Sequence, residues 1–244
     1  FPVRDNAIGN GWLAETAGSA AKSPTFAQKA MTPKRLGSYI DLSKQLITQS
    51  NASIDNYITR ELAGSMLTDL ENAAINGTGS SNQPTGILNT AGIGSVAMGT
   101  NGGAITWQAV VDLVTQVAID NAEMGALNYI TNAQVRGAMQ TILKASGVSG
   151  YLLNEANSNL NGYGLGVTQH APSNLTKGSA SAVCSALLFG NFNDLKIGQW
   201  GGLDILVDEY TQATAGTTRV VANGYFDVLA LRPESFAAIL DITT

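Results

Sequence analysis

This chain of 244 residues is poor in the side chains that usually do chemistry, with a single cysteine and a single histidine. Cys184 has no partner for an intrachain disulfide, and one Cys with one His excludes Cys/His zinc sites and His-rich metal sites. Charge is scarce as well, at 13% of residues against about 25% in an average soluble domain. Lys plus Arg number 13 and Asp plus Glu 18, a net charge of −5, which suits the chain poorly to gripping nucleic acid phosphates. No apolar run approaches the ~18 residues of a membrane span, and no secretory leader is visible. The chain opens at Phe1 without a Met, which reads as a processed or trimmed start. Hydrophobic content is ordinary, at 44%. Few charges with ordinary apolar content suggest a surface covered in large part by other copies of the chain.

The catalytic signals are equally thin. A Ser-His-Asp triad would have to use His170, which sits in the loop-like "GVTQHAPSN", and there is no Gly-x-Ser-x-Gly elbow. The glycine-rich "NGTGSSNQPTGIL" (76–88) has the composition of a phosphate cradle, but it follows a helix instead of preceding one. The carboxyl end of a helix carries the negative end of its dipole and repels phosphate. No lysine occurs between Lys44 and Lys144, so a Walker lysine is missing too. The structural reading is a helix stop, with Asn76-Gly77 as a left-handed C-cap and Pro84 and Gly86 shaping the turns beyond it.

What is present is pattern. Residues 11–35 read as a long β-hairpin, from "GWLAE" through a tip of small residues to "TFAQKAMTPKR". So much Ala, Ser and Gly cannot build its own core, so the hairpin needs a partner surface. "RLGSYIDLS" alternates, with Leu36, Ile40 and Leu42 on one face and Tyr39 and Asp41 on the other, and a short helical turn follows. The strongest helix is 53–75, capped by Ser53, with Ile54, Ile58, Leu62, Met66 and Leu70 every fourth residue and Tyr57 and Ala73 alongside. Helices are expected over 106–122 and 132–144, with the strand "ALNYIT" between them. The last third is rich in strands: "AVCSALLFGNF", "GLDILVDEY", "TRVVANG" and "FDVLALRP", the last ended by Pro233, with "ESFAAI" closing the chain as a turn and a few apolar residues. A first lobe therefore takes strands from both ends of the chain, and a middle lobe near 103–205 is inserted into it.

These pieces, in this order and with these gaps, resemble the major capsid protein of tailed bacteriophages. "GWLAE" and "TFAQKAMTPKRLGSYIDLSKQLI" are similar to that family's extended loop, return strand and short helix; "SIDNYITRELAGSMLTDLENAAING" resembles its spine helix. "NGTGSSNQPTGIL" resembles the glycine-rich segment after the spine, and "LLFGNFNDLKIGQWGGLDILVDE" and "FDVLALRPESFAAI" its axial-domain exit and final peripheral strand. The resemblance implies the Hong Kong phage capsid fold, an α+β architecture. It would comprise an extended loop over 1–35, a peripheral domain over 36–102 and 206–244 containing spine helix 53–75, and an axial domain over 103–205. It implies a structural subunit that builds an icosahedral head shell, located in the virion and assembled in the host bacterial cytoplasm. The partners would be other copies of itself, with a scaffolding segment, portal and decoration proteins as further candidates. Relatives carry more at the N-terminus, an arm and often a scaffolding segment. No enzyme activity, catalytic residue, cofactor, metal, membrane or sequence-specific nucleic acid is implied. Alternatives are an encapsulin-like compartment shell and, in a different class, a hydrolase using His170.

Some family members crosslink covalently through a lysine in the loop, an asparagine on a neighbour and a catalytic glutamate. Here the matching positions carry Ser19, Gly216 and Asn223, so no crosslink is expected, although Lys22 stands near the loop tip. Lys22, Lys29, Lys34 and Arg35 make the arm basic, and the expected dock is an acidic patch of a neighbour around Glu61, Asp69 or Glu71.

Overall fold

The computed structural model describes residues 1–4, 12, 15, 26–49, 54–145, 147, 150–153 and 159–244. In chain order these form strands β1 (Pro2–Arg4), β2 (Phe26–Gln28) and β3 (Lys34–Ser43), then helices α1 (Lys44–Gln49) and α2 (Ile54–Asn76), then β4 (Gly94–Ser95). Helix α3 (Trp107–Ile119), β5 (Leu127–Thr131) and α4 (Ala133–Thr141) follow, then β6 (Asn159–Leu160), β7 (Tyr163–Val167) and β8 (Leu175–Lys177). The chain ends with four strands, β9 (Ala180–Asn191), β10 (Leu195–Asp208), β11 (Thr217–Ala230) and β12 (Phe236–Thr243).

The first sheet has three antiparallel strands in the order β10-β11-β3, with α2 lying on one face. Alternate residues of β11 (Val220, Ala222, Phe226 and Val228) turn toward the helix and are buried. The helix answers with Ile58, Leu62, Met66, Leu70 and Ala74. The Ile, Leu and Met side chains each contribute about 1.5–3 kcal/mol on burial, so the stripe fixes the helix on the sheet. Gly224 makes this contact possible: a Cβ there would stand 2.5 Å from the Phe226 ring and 3.4 Å from the Met66 methyl. Tyr57, expected beside the stripe, is instead exposed. Ser53, its expected cap, lies outside the described residues.

The second sheet runs β4-β12-β9-β5-β7-β6, with β8 also pairing β9. Its core is Tyr129, Phe189, Leu187 and Ile239 from the strands, Val110, Leu113 and Val117 from α3, and Val135 and Met139 from α4. Both helices start on side-chain caps. Thr106 Oγ1 accepts from Ala109 N at 3.3 Å, and Asn132 Oδ1 accepts from Val135 N at 2.9 Å. The Tyr129 hydroxyl is buried and donates to Val110 O at 3.0 Å, and burial pushes its pKa upward. The C-terminus of α3 is closed from a distance: an Arg232 guanidinium nitrogen donates to Asp120 O at 2.7 Å. Arg232→Met should therefore cost about 1 kcal/mol, the worth of a cation on a helix C-terminus, and lower the melting temperature by roughly 2–4 °C. An unchanged melting curve would show that water replaces the guanidinium at no cost.

A small cluster joins the two sheets, made of Ile87, Leu188, Ala230, Phe236 and Ala238. The chain crosses between the sheets twice in this part of the fold, after β9 and after β11, and Asp194 holds the crossings together. Its carbonyl accepts from Leu231 N at 2.9 Å, and its Oδ2 accepts from Ser235 Oγ at 2.6 Å.

Several expectations need correction. The stretch from Phe236 is a strand of the second sheet, paired with β9 and β4, and does not rejoin the sheet under the spine helix. Phe236, Ala237, Ala238, Ile239 and Ile242 are buried on both faces, a pattern without the alternation that would have marked a strand. Conversely, β10 starts at Leu195, so residues 195–205 belong to the first sheet and not to the middle lobe. "TRVVANG" and "FDVLALRP" are one strand, and Pro233 opens a 3-10 turn before β12. Helix α4 ends at Thr141, and Leu143 is exposed. Of "GWLAE", residues 11, 13 and 14 lie outside the described residues; the strand that pairs β2 is β1, with Val3 opposite Ala27.

The glycine-rich segment is a closed turn. Thr78 bridges Thr85, Gly79 N donates to Pro84 O, and Gln83 N donates to Ser80 O at 2.9 Å across Ser81 and Asn82, both left-handed at φ 52° and 62°. Gly77 is not the left-handed cap: its φ is not positive. It is a glycine because a Cβ would stand 2.2 Å from Pro84 O and 2.4 Å from Ala73 O. The exposed carbonyls of α2 are covered by Asn89, whose Nδ2 donates to Asn76 O at 2.9 Å and Gly77 O at 3.0 Å. The N–H groups of Thr78, Gly79, Ser80, Gln83 and Gly86 are used inside the loop.

Candidate functional site

The basic arm starts from a fixed root. Asp227 of β11 is buried, and its carboxylate accepts from Lys34 Nζ at 2.6 Å and from Thr32 N at 2.8 Å. Lys29 Nζ donates to Leu231 O at 2.8 Å and Ala230 O at 3.3 Å, at the crossing between the sheets. Met31 lies over Gly198 of β10, where a Cβ would stand 2.8 Å from its methyl carbon. The segment from Lys29 to Lys34 is thus strapped to the sheet by its side chains. Lys29 and Lys34, two of the cations expected to reach a neighbour, are spent inside the chain. Arg35 is exposed, and Lys22 lies outside the described residues. Glu61, Asp69 and Glu71 are exposed on α2, as a dock would require. Trp12, within the arm, is fully exposed.

Beyond the strap, the face of the three-stranded sheet away from α2 is open. The register sets its residues in rows across β3, β11 and β10: Asp41, Arg219, Asp208; then Tyr39, Val221, Leu206; then Gly37, Asn223, Asp204; then Arg35, Tyr225, Trp200. Tyr39, Leu206, Tyr225 and Trp200 are exposed by 61, 59, 44 and 38%, so apolar side chains stand in solvent on this face. The charged row is preorganised. Arg219 forks onto both Asp41 oxygens at 2.7 Å and lies 4.3 Å over the Tyr39 ring. The hydrogen bonds from Arg219 hold the Asp41 carboxyl below the usual carboxylate range.

His170, the candidate base of the hydrolase reading, has its Nε2 3.6 Å from Glu71 Oε2. Its carbonyl accepts from Asn76 Nδ2, which pins the loop to the end of α2. Cys184 is buried on β9. Among the described residues no group of three or more His, Cys, Asp or Glu converges, and no helix is long and apolar enough to cross a membrane. Of the crosslinking positions, Gly216 closes the β10–β11 turn at φ +65°, Asn223 stands mid-sheet against Gly37, and Ser19 lies outside the described residues. Local sequence did not reveal Asp227 as the anchor of the arm; its partner Lys34 is 193 residues away.

The described residues thus present a pinned arm root and a sheet face with exposed aromatic side chains, and no converging catalytic group. Residues 1–240 match the phage capsid family, and the chain belongs to it. It is 26% identical over 226 residues to the major capsid protein of Halomonas phage phiHAP-1, covering 93% of this chain and 35% of that protein. The chain therefore spans about a third of the length of this curated relative. Among solved structures, the capsid of the native GTA particle superposes with a TM-score of 0.79 at 20% identity, covering 100% of this chain and 84% of the other. A structure from Mycobacterium phage Adephagia superposes at 0.73 with 14% identity, over 100% and 85%. These likenesses establish the fold as that of phage capsid structures.

Proposed function

We propose that the chain is a shell-building subunit of a tailed-phage or prophage head, whose principal partners are copies of itself. The observation that carries this reading is the exposed aromatic face of the three-stranded sheet. Tyr, Trp and Arg side chains set together on an exposed face are the residue types that anchor protein contacts. In this reading the spine helix and three-stranded sheet form the peripheral lobe and the seven-stranded sheet with α3 and α4 the axial lobe. The arm beyond the Lys29–Lys34 strap crosses a neighbouring subunit. Scaffolding, portal and decoration proteins are the further partners the family resemblance suggests, with the particle assembled in the bacterial cytoplasm. Heterologous contacts between copies close into rings, and many modest contacts together stabilise a closed shell. The family match favours this reading over a cellular compartment shell and over a hydrolase.

The subunit has no catalytic role in this proposal, and the shell is held without covalent links. Asp204 stands opposite Asn223 in the sheet, so a carboxylate is present in that row, but the acceptor position is Gly216 and the amine position Ser19. Negative-stain microscopy of the expressed chain should show rings, hexamers or closed particles, and those particles should run as a single monomer band on denaturing gels. A dispersed monomer overturns the assembly reading, and a ladder of covalent multimers overturns the non-covalent one.

A further inference from the structure

The chain contains five Asn-Gly pairs, beginning at Asn10, Asn76, Asn101, Asn161 and Asn223, and the first lies outside the described residues. In such a pair the glycine N–H can attack the preceding side-chain amide, because no Cβ crowds the attacking nitrogen. Whether it does so in a folded chain depends on how the pair is held. Three of the four described pairs are held against it. Gly77 N donates to Ala73 O at 2.9 Å at the end of α2, and Asn76 Nδ2 donates to Asn72 Oδ1 at 3.0 Å. Asn223 and Gly224 lie in the central strand β11, opposite Gly37 and Leu36 of β3. Asn161 and Gly162 turn the chain between β6 and β7, and the Asn161 side chain hydrogen bonds the buried Tyr129 hydroxyl.

Asn101-Gly102 is held differently. Asn101 is exposed, and the pair lies in the loop between β4 and α3, outside the helices and strands. The bonds that tie this loop to β12 come from its neighbours. Met98 N donates to the Asp241 carboxylate at 3.0 Å, and Gly103 N donates to Asp241 O at 3.0 Å. The Asn101 amide has its own partner, since its Oδ1 accepts from Ser179 N at 3.0 Å. That donor is fixed in the two-residue turn between β8 and β9, where Lys177 pairs with Ala180. A backbone N–H set on a carbonyl oxygen steadies the negative charge that attack on its carbon places there.

We propose that Asn101 is a self-modification site, at which the amide is lost to give aspartate or isoaspartate with the Ser179 N–H as the stabilising donor. Gly102 N gives its proton to water and bonds to Asn101 Cγ. The Cγ–Nδ2 bond breaks, ammonia leaves, and a five-membered succinimide remains. Water then opens the ring at either carbonyl, so the net change is gain of a water and loss of an ammonia, without oxidation or reduction. Opening at the main-chain carbonyl routes the backbone through the former side chain and lengthens it by a carbon. That displaces Gly103, whose O accepts from Thr243 N at 2.9 Å, so the loop loses its register on the end of β12. The site belongs to the folded subunit and is independent of the contacts that build a shell.

The test ages the full chain in warm, mildly alkaline buffer, native and in urea, and locates the products by peptide mass spectrometry and by an isoaspartate-specific methyltransferase. In the native chain Asn101 should convert about tenfold faster than Asn76, Asn161 or Asn223, whereas in urea the four rates should converge. Ser179→Pro removes the donor N–H and should slow Asn101 severalfold in the native chain while leaving its rate in urea unchanged. Aged wild type should melt below fresh wild type, and Asn101→Gln, whose ring closure is far slower, should keep its melting temperature. A native rate at Asn101 no greater than at Asn76 overturns the site, and this comparison needs no variant to fold. An unchanged or faster rate in a natively folded Ser179→Pro overturns the part given to Ser179.

Discussion

Gly77→Ala should destabilise the chain by about 3 kcal/mol, the upper part of the range for forcing an extra carbon into a packed site. The added Cβ would stand 2.2 Å from Pro84 O, 2.4 Å from Ala73 O and 3.0 Å from Gly86 N, and all three are backbone atoms that cannot rotate away. Either the last turn of α2 opens or the loop lifts off the helix, and Asn89 then loses its hold on the Asn76 and Gly77 carbonyls. Gly77→Asn separates two explanations. Asparagine tolerates the left-handed conformation, so at a true left-handed cap it would be nearly neutral. Here it should be as damaging as alanine. Gly216 supplies the contrast, with φ +65° and open space where a Cβ would stand. Gly216→Asn should be almost silent there, and Gly216→Ala should cost about 1 kcal/mol. Thermal unfolding of the dissociated chain measures all four, and a well-tolerated Gly77→Asn would restore the cap explanation.

The same glycine shows what local sequence can and cannot carry. Helix α2 was legible because its apolar residues recur at helical spacing, and β3 because its apolar residues alternate. α3, β5 and α4 were legible for the same reasons. Asn76-Gly77 correctly marked a helix end, but the cause lies in a loop that folds back from Pro84. Asn223-Gly224 lies inside one strand where two, "TRVVANG" and "FDVLALRP", were expected. This pair is a strong hairpin-turn signal, yet it lies in the middle of β11. There Gly224 makes room for Phe226 and Met66, and Asn223 Oδ1 stands 2.9 Å from where a Cβ on Gly37 would be. Met66 and Gly37 are distant in the chain, and only the folded sheet brings them to this pair. The β12 strand was missed because a strand buried on both faces has no alternation to read. Of the proposed assembly surfaces, the arm stood out by composition, but the intrachain bonds of Lys29 and Lys34 did not. Neither did the rows of the open sheet face, because they exist only once β3, β11 and β10 are in register.

Lys34→Met should cost about 3 kcal/mol, near the low end for breaking a buried ion pair from one side. Lys34 is 26% exposed at its side chain and Asp227 only 7%, so the removed ammonium leaves a carboxylate that water barely reaches. Asp227 would keep only the backbone donors Thr32 N and Val228 N. Asp227→Asn should cost less, because the lysine can turn to solvent. The double variant should be more stable than Lys34→Met alone, with a coupling of about 2 kcal/mol between the two positions, as neighbours in one bonded network show. A coupling near zero in thermal unfolding would mean the pair is spectator to the fold. Stability and assembly should then separate. In the double variant the buried charge is gone, but the amide offers one acceptor oxygen where the carboxylate offered two, so Thr32 N and Val228 N compete for it and the arm departs from the sheet without its fixed direction. Particle formation should remain impaired even as the melting temperature recovers. Full recovery of assembly along with stability would mean that the Lys29–Lys34 strap only holds the subunit together, and that the arm finds its neighbour without being aimed.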